Sequence, residues 1–150
     1  MKEPVDYLQI NLLGMHEQNL RVSRIVEAMR QKGIPSALVH NNANLYYLTG
    51  RVFRGYVYIS AESGRVLYFV RQPSTLRSDE PGVLFHIRKP EEIAGHLAKA
   101  GIDVPAEVGL ELDSLSFGDA CRLAKSFGMD SPEANVSPII RSARSVKTDA

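Results

Sequence analysis

Two short apolar runs, "YVYIS" at 56–60 and "RVLYFV" at 65–70, stand either side of "AESG", and this arrangement constrains the chain more than anything else in it. Runs of this length, rich in β-branched and aromatic residues, read as strands. A four-residue connection ending in Gly64 makes them a hairpin, with glycine supplying the positive φ. Neither run alternates between apolar and polar residues, as a strand with one wet face must. Their near-continuous hydrophobicity requires a sheet covered on both sides, so helices must pack on each face.

The rest of the chain supplies those helices. From Glu17 to Lys32, Val22, Ile25, Val26 and Met29 recur at helical spacing, with Gly33 as the stop. "IPSALVH" then restarts as a strand, because Pro35 cannot continue a helix. After a polar loop from Gln72 to Gly82, "VLFHI" is a fourth strand. Pro90, with Glu91 and Glu92 in the first turn, opens a helix ending near Gly101, and "VGLEL" follows as a strand. Ser116 with Asp119 forms a capping pair. Phe117, Ala120, Cys121 and Ala124 make the next apolar stripe, up to Gly128. A short strand around Asn135 and Val136 and a turn begun by Pro138 complete the chain. The predicted fold class is α/β: a mixed β-sheet with helices on both faces, antiparallel at the hairpin and parallel in the later strand-helix-strand units. Nothing divides the 150 residues into two domains.

Between "SALVH" and "GYVYIS" lies "NNANLYYLTG" at 41–50. It is predicted to be an amide-rich turn that satisfies its own backbone and displays Tyr46 and Tyr47 as rigid amphipathic surface. In "RVFRGY", which follows, Arg51 and Arg54 have the fork geometry for a carboxylate, and Phe53 and Tyr56 add aromatic surface beside them. The plainer alternative has one tyrosine in the core and the arginines solvated.

Other chemistry is sparse. Eighteen Lys and Arg against 17 Asp and Glu give no electrostatic case for nucleic acid or an anionic membrane. The single cysteine, Cys121, reads as a buried reduced thiol, and the broken apolar run "MKEPVDYLQINLLGM" as neither a signal peptide nor a membrane span; together they predict a cytoplasmic protein. No three glycines have dinucleotide or P-loop spacing. "HEQNL" puts Leu20 where a zinc motif needs its second histidine, and His16, His40, His86 and His96 lack metal-ligand spacing. Glu111 and Asp113, two apart near a strand end, fit either a carboxylate pair or two solubilising side chains with Asp113 leading into a helix. No catalytic and no metal-ligating residue is assigned.

"RVSRIVEAMRQKGIPSALVHNNANLYYLTG" resembles the opening of the creatinase/prolidase family, through Gly33, Ile34, Ala37, Leu38, Val39, Asn44, Tyr47, Leu48, Thr49 and Gly50. "VGLELDSLSF" resembles that family's strand-to-helix passage, and "SPIIRSARSVKTDA" resembles the segment leading into its second domain. The resemblance implies that residues 1–150 form a ribonuclease H-like N-terminal domain, with 137–150 leading into a catalytic domain absent from this chain. It implies a non-catalytic part in a metal-dependent Xaa-Pro peptidase of aminopeptidase P or prolidase type, a hydrolase. The alternatives are a creatinase-like amidinohydrolase or a protein-binding module. Two divalent ions, manganese or similar, are expected in the missing domain and no cofactor in this one. The implied partners are that domain, a second copy in a homodimer, and a proline-containing peptide. Tyr47, Arg51, Phe53, Arg54 and Tyr56 are the expected substrate or interface residues.

Overall fold

The computed structural model describes residues 15–74, 76–78, 81–103 and 107–145. The reading of residues 1–14 lies outside them. Eleven elements follow in order. Helix α1 (Met15–Gln31) leads to β1 (Ser36–Val39), α2 (Asn42–Thr49), β2 (Gly55–Ser60), β3 (Val66–Arg71) and β4 (Leu84–Ile87). A 3-10 turn (Pro90–Glu92) runs into α3 (Ile93–Lys99), and β5 (Gly109–Leu110), α4 (Phe117–Ser126) and α5 (Ser137–Ser145) complete the chain.

The five strands form one mixed sheet in the order β4-β3-β2-β1-β5. β2 is antiparallel to both β1 and β3, whereas β4 runs parallel to β3 and β5 parallel to β1. The predicted hairpin is present, with Gly64 at φ 72° in its turn. Each central strand sends alternate apolar residues to opposite sides. Val39, Val57, Ile59, Tyr68 and Val70 pack with α1, α2 and α5 through Ile25, Met29, Leu45, Leu48 and Ile140. Leu38, Tyr58, Leu67 and Phe69 pack on the other face with Ile93 and Leu97 of α3 and Leu123 of α4. The near-continuous hydrophobicity of β2 and β3 is thus used twice.

Several expectations are corrected. "NNANLYYLTG" is a helix, not a turn: Asn41 is its N-cap, with the Ala43 N–H donating to Asn41 Oδ1 at 3.0 Å, and Gly50 closes it in the left-handed region at φ 74°. Its eight residues scarcely cover two turns, so no long apolar stripe betrays it. The strand read from "VGLEL" shrinks to Gly109–Leu110, and Asn135 makes only an isolated parallel bridge to Leu110. The segment begun by Pro138 is a nine-residue helix, held through Ile139, Ile140 and Ala143. On α4 the buried stripe is Ala120, Leu123 and Ala124, while Phe117 is 83% exposed and Cys121 half-buried. Nor do the parallel pairs arise from adjacent strand-helix-strand units. β3 and β4 are joined by a loop, and α3 lies between β4 and β5 at opposite edges of the sheet. Among the described residues no helix is long and apolar enough to cross a membrane.

Candidate functional site

The carboxyl ends of β1, β3, β4 and β5 and the amino end of β2 share one end of the sheet, because β2 is the strand running the other way. In open α/β sheets the crevice outside the carboxyl ends of the strands is where ligands bind. A cleft of about 540 Å³ lies there, with His40 after β1, Arg54 and Tyr56 at the start of β2, Arg71 at the end of β3, and Asp119 and Arg122 on α4. Pro90, Leu115 and Val52 supply apolar wall. A larger groove of about 880 Å³ runs along α1 against β3. The smaller cleft is the better candidate, since it combines the carboxyl-end location with converging charged groups.

One side of the cleft is set by Glu111, immediately after β5 and 1% exposed. Its carboxylate accepts the N–H groups of His40 at 2.5 Å and Asn41 at 2.8 Å, and the Asn44 side-chain amide as well. A buried carboxylate is thereby matched to donors at the start of α2, where the helix dipole favours negative charge. Asn44 is locked in turn, its Oδ1 accepting from Arg144 Nη1 at 3.0 Å. At the other end of α2, Thr49 is fully buried, and its hydroxyl lies 2.8 Å from Leu45 O and Arg51 O and accepts the Arg51 N–H at 3.1 Å. The amides and the Thr-Gly pair of "NNANLYYLTG" therefore fasten a short helix at both ends.

Of the two readings open for Glu111 and Asp113, the carboxylate pair is excluded. Glu111 and Asp113 lie past the end of a two-residue strand and diverge. Glu111 faces the helix. Asp113 is exposed and meets Asn135 and Arg141, which hold its carboxyl below the usual range. Among the described residues no group of three His, Cys, Asp or Glu side chains is placed to hold a metal ion. The dinuclear centre that the family resemblance implies is expected in a following domain, and the described residues offer no ligand set for it.

The five residues singled out from the sequence separate. Phe53, Arg54 and Tyr56 line the cleft, with Phe53 itself 7% exposed and part of the core. Tyr47 belongs to the packing of α2 instead. Its hydroxyl donates to Ala143 O at 3.2 Å, the Arg21 guanidinium carbon lies 4.6 Å from its ring centroid, and Arg21 Nη1 donates to Tyr47 O at 2.6 Å. Arg51 is half-buried beside Thr49 and does not line the cleft. His40, Arg71, Asp119 and Arg122 were not anticipated. Two of them directly follow or end strands, a signal that becomes useful only once strand order is known.

Burial raises the hydroxyl pKa of Tyr56, and nearby Arg71 and Arg122 oppose the shift; burial also raises that of Tyr58. A raised folded-state value means that the native protein holds these protons more tightly than the unfolded chain. The resulting stabilisation is complete below pH 10.0, the ordinary value, and is lost as pH rises through the folded values. Urea midpoints measured between neutral pH and pH 11 are expected to hold and then fall above about pH 10. The double variant Tyr56→Phe, Tyr58→Phe should show a shallower alkaline fall; an unchanged profile would assign it to other groups.

A creatinase/prolidase N-terminal domain family model matches residues 21–146. The fold is similar to that of an Xaa-Pro dipeptidase from Bacillus anthracis, at TM-score 0.65 and 19% identity, covering 88% of this chain and 37% of that one. It is similar to the prolidase from Pyrococcus horikoshii OT3, at TM-score 0.64 and 23% identity over 87% of this chain and 36% of that one. It is also similar to a separately solved N-terminal domain of the cytoplasmic peptidase PepQ from Mycobacterium tuberculosis H37Rv, at TM-score 0.60 and 17% identity over 84% and 99%. The chain thus spans little more than a third of the two longer structures. Comparison with curated protein sequences gives no match.

Proposed function

The chain belongs to the creatinase/prolidase N-terminal domain family, and on that premise we propose that it is the non-catalytic N-terminal domain of a cytoplasmic, metal-dependent Xaa-Pro peptidase. The family match over 21–146 carries the reading, and structural similarity to prolidases and dipeptidases supports it. In this reading the hydrolytic machinery, with two divalent ions, belongs to a following domain. This domain contributes a wall to the substrate pocket and contacts to a second copy.

The geometry favours particular residues for those tasks. Arg54 and Tyr56 at the cleft are the substrate-facing candidates, and Phe53 supports them from within the core. Tyr46, 61% exposed, and Val52, 49% exposed, offer apolar surface at the same end of the sheet and are better interface probes than the packed Tyr47.

The purified 150-residue chain with added manganese is expected to hydrolyse no Xaa-Pro peptide, while the protein carrying the following domain does so. Turnover by a peptidase-free preparation of the chain alone would overturn the reading. So would a full-length protein that hydrolyses creatine and leaves Xaa-Pro peptides intact.

A further inference from the structure

We propose that the groove along α1 is the docking site of the chain's own N-terminal segment, with Leu8, Ile10 and Leu12 on its apolar floor and Glu3 and Asp6 meeting the cations at its far end. This groove shares no lining residue with the cleft at the carboxyl ends of the strands.

The lining changes character along the groove. Near the start of α1, Gln18 Nε2 donates to the Tyr68 hydroxyl at 2.8 Å and closes that end with polar groups. The middle is apolar. Val22 and Val26 of α1 face Val66 at the start of β3 and Val83 just before β4, and the last two stay half-buried although they pack against the core. The far end is cationic. Arg30 Nε donates to Ala61 O at 2.9 Å, which seats it against the hairpin turn, and Arg65 Nη1 donates to Ala100 O at 2.9 Å, beside Lys99. All three cations are exposed, and the groove sets one carboxylate, Glu27, against them.

The segment before α1 carries the same succession in the right order. Leu8, Ile10 and Leu12 recur at every second residue, with Tyr7, Gln9 and Asn11 between them, the pattern of an extended chain with one apolar side. Residues 3–13 contain Glu3 and Asp6 and no basic residue, so the acidic end is the one farther from α1. Length agrees as well. Extended chain rises about 3.3 Å per residue, so Asp6 lies about 26 Å back from Gly14. Helix α1 rises about 1.5 Å per residue, which puts Arg30 about 22 Å from Met15. A segment folded back from the start of α1 thus brings its acids level with Arg30, Arg65 and Lys99 while its leucines and isoleucine cover the valines. Opposite charges fix the direction, and the covalent tether gives the segment an effective concentration that a free partner lacks.

Paramagnetic broadening in the full 150-residue chain tests this, with Cys121→Ser and a nitroxide on Pro4→Cys. The amides of Gly64, Arg65 and Lys99 are expected to broaden more than those of Gln18 and Asn19, because the docked segment carries residue 4 to the far end of α1. Glu3→Lys with Asp6→Lys should cut that broadening by about half or more, as should Arg65→Glu with Lys99→Glu, and the four changes together should restore it. Leu8→Ser with Ile10→Ser should abolish it, whereas Gln9→Ser with Asn11→Ser should leave it in place. Unchanged amide shifts in β1 and β2 would verify that each variant keeps the fold.

Stronger broadening at Gln18 and Asn19 than at the far end, equal effects of the two serine pairs, or failure of the four charge changes to restore what each pair removes would each overturn the proposal. So would broadening carried between molecules, measured by mixing nitroxide-bearing chains with isotopically labelled ones, since the groove would then take a second copy.

Discussion

Glu111→Ala is expected to destabilise the domain by about 3 to 5 kcal/mol and to loosen α2 before the rest of the fold. The substitution strands the His40 and Asn41 N–H groups and the Asn44 amide, all of which converge on that carboxylate. Unmade hydrogen bonds at a site 1% exposed forfeit far more than a bond traded with water. Loss of the Asn44 contact also frees the partner of Arg144, so α5 is weakened at the same stroke. Glu111→Gln should fall between the two, since an amide keeps one acceptor oxygen but sets its own donors against three others. Urea unfolding gives the magnitude, and hydrogen exchange of the α2 amides gives the location. A loss under about 1 kcal/mol, with α2 exchange unchanged, would show that the carboxylate does not anchor the helix.

Gly55→Ala is expected to be comparably damaging, for a steric reason. A Cβ at Gly55 would sit 2.0 Å from Phe69 O and 3.0 Å from Phe69 C, with the backbone at φ +153°. The obstacle is the backbone of β3, which is hydrogen-bonded on both sides, to β2 and to β4, and has no direction in which to retreat. A penalty of roughly 3 kcal/mol or more follows from combined strain and clash. Gly64→Ala is the matched control. It also requires positive φ, at +72°, but nothing lies within 4 Å of its added Cβ, and about 1 kcal/mol is expected there. Equal losses at the two positions would mean that the close approach of β2 and β3 contributes nothing.

Much of the architecture was legible before any coordinates. The stripe of Val22, Ile25, Val26 and Met29 marked α1, and all four are buried. The apolar runs around "AESG" marked a doubly covered hairpin, and Ser116 with Asp119 marked the start of α4, where the Asp119 N–H donates to Ser116 Oγ at 3.1 Å. These were readable because periodicity, capping and turn chemistry act over a few residues. The failures share a cause as well. α2 is too short for a stripe and is held by a carboxylate that follows it by some 67 positions, at Glu111. The exposure of Phe117 reflects which side of α4 the sheet selected.

The candidate site was half legible. "RVFRGY" drew attention to Arg54 and Tyr56 through composition alone, yet nothing local linked them to His40, Arg71 or Asp119. By itself the amino-acid sequence determined α1, the β2–β3 hairpin and the start of α4, and that the sheet needs cover on both faces, because those properties reside in short-range spacing and apolar content. Only the tertiary structure decided what Glu111 binds and which charges face one another across the cleft. Both depend on the strand order β4-β3-β2-β1-β5, which brings residues far apart in the chain to one end of the sheet.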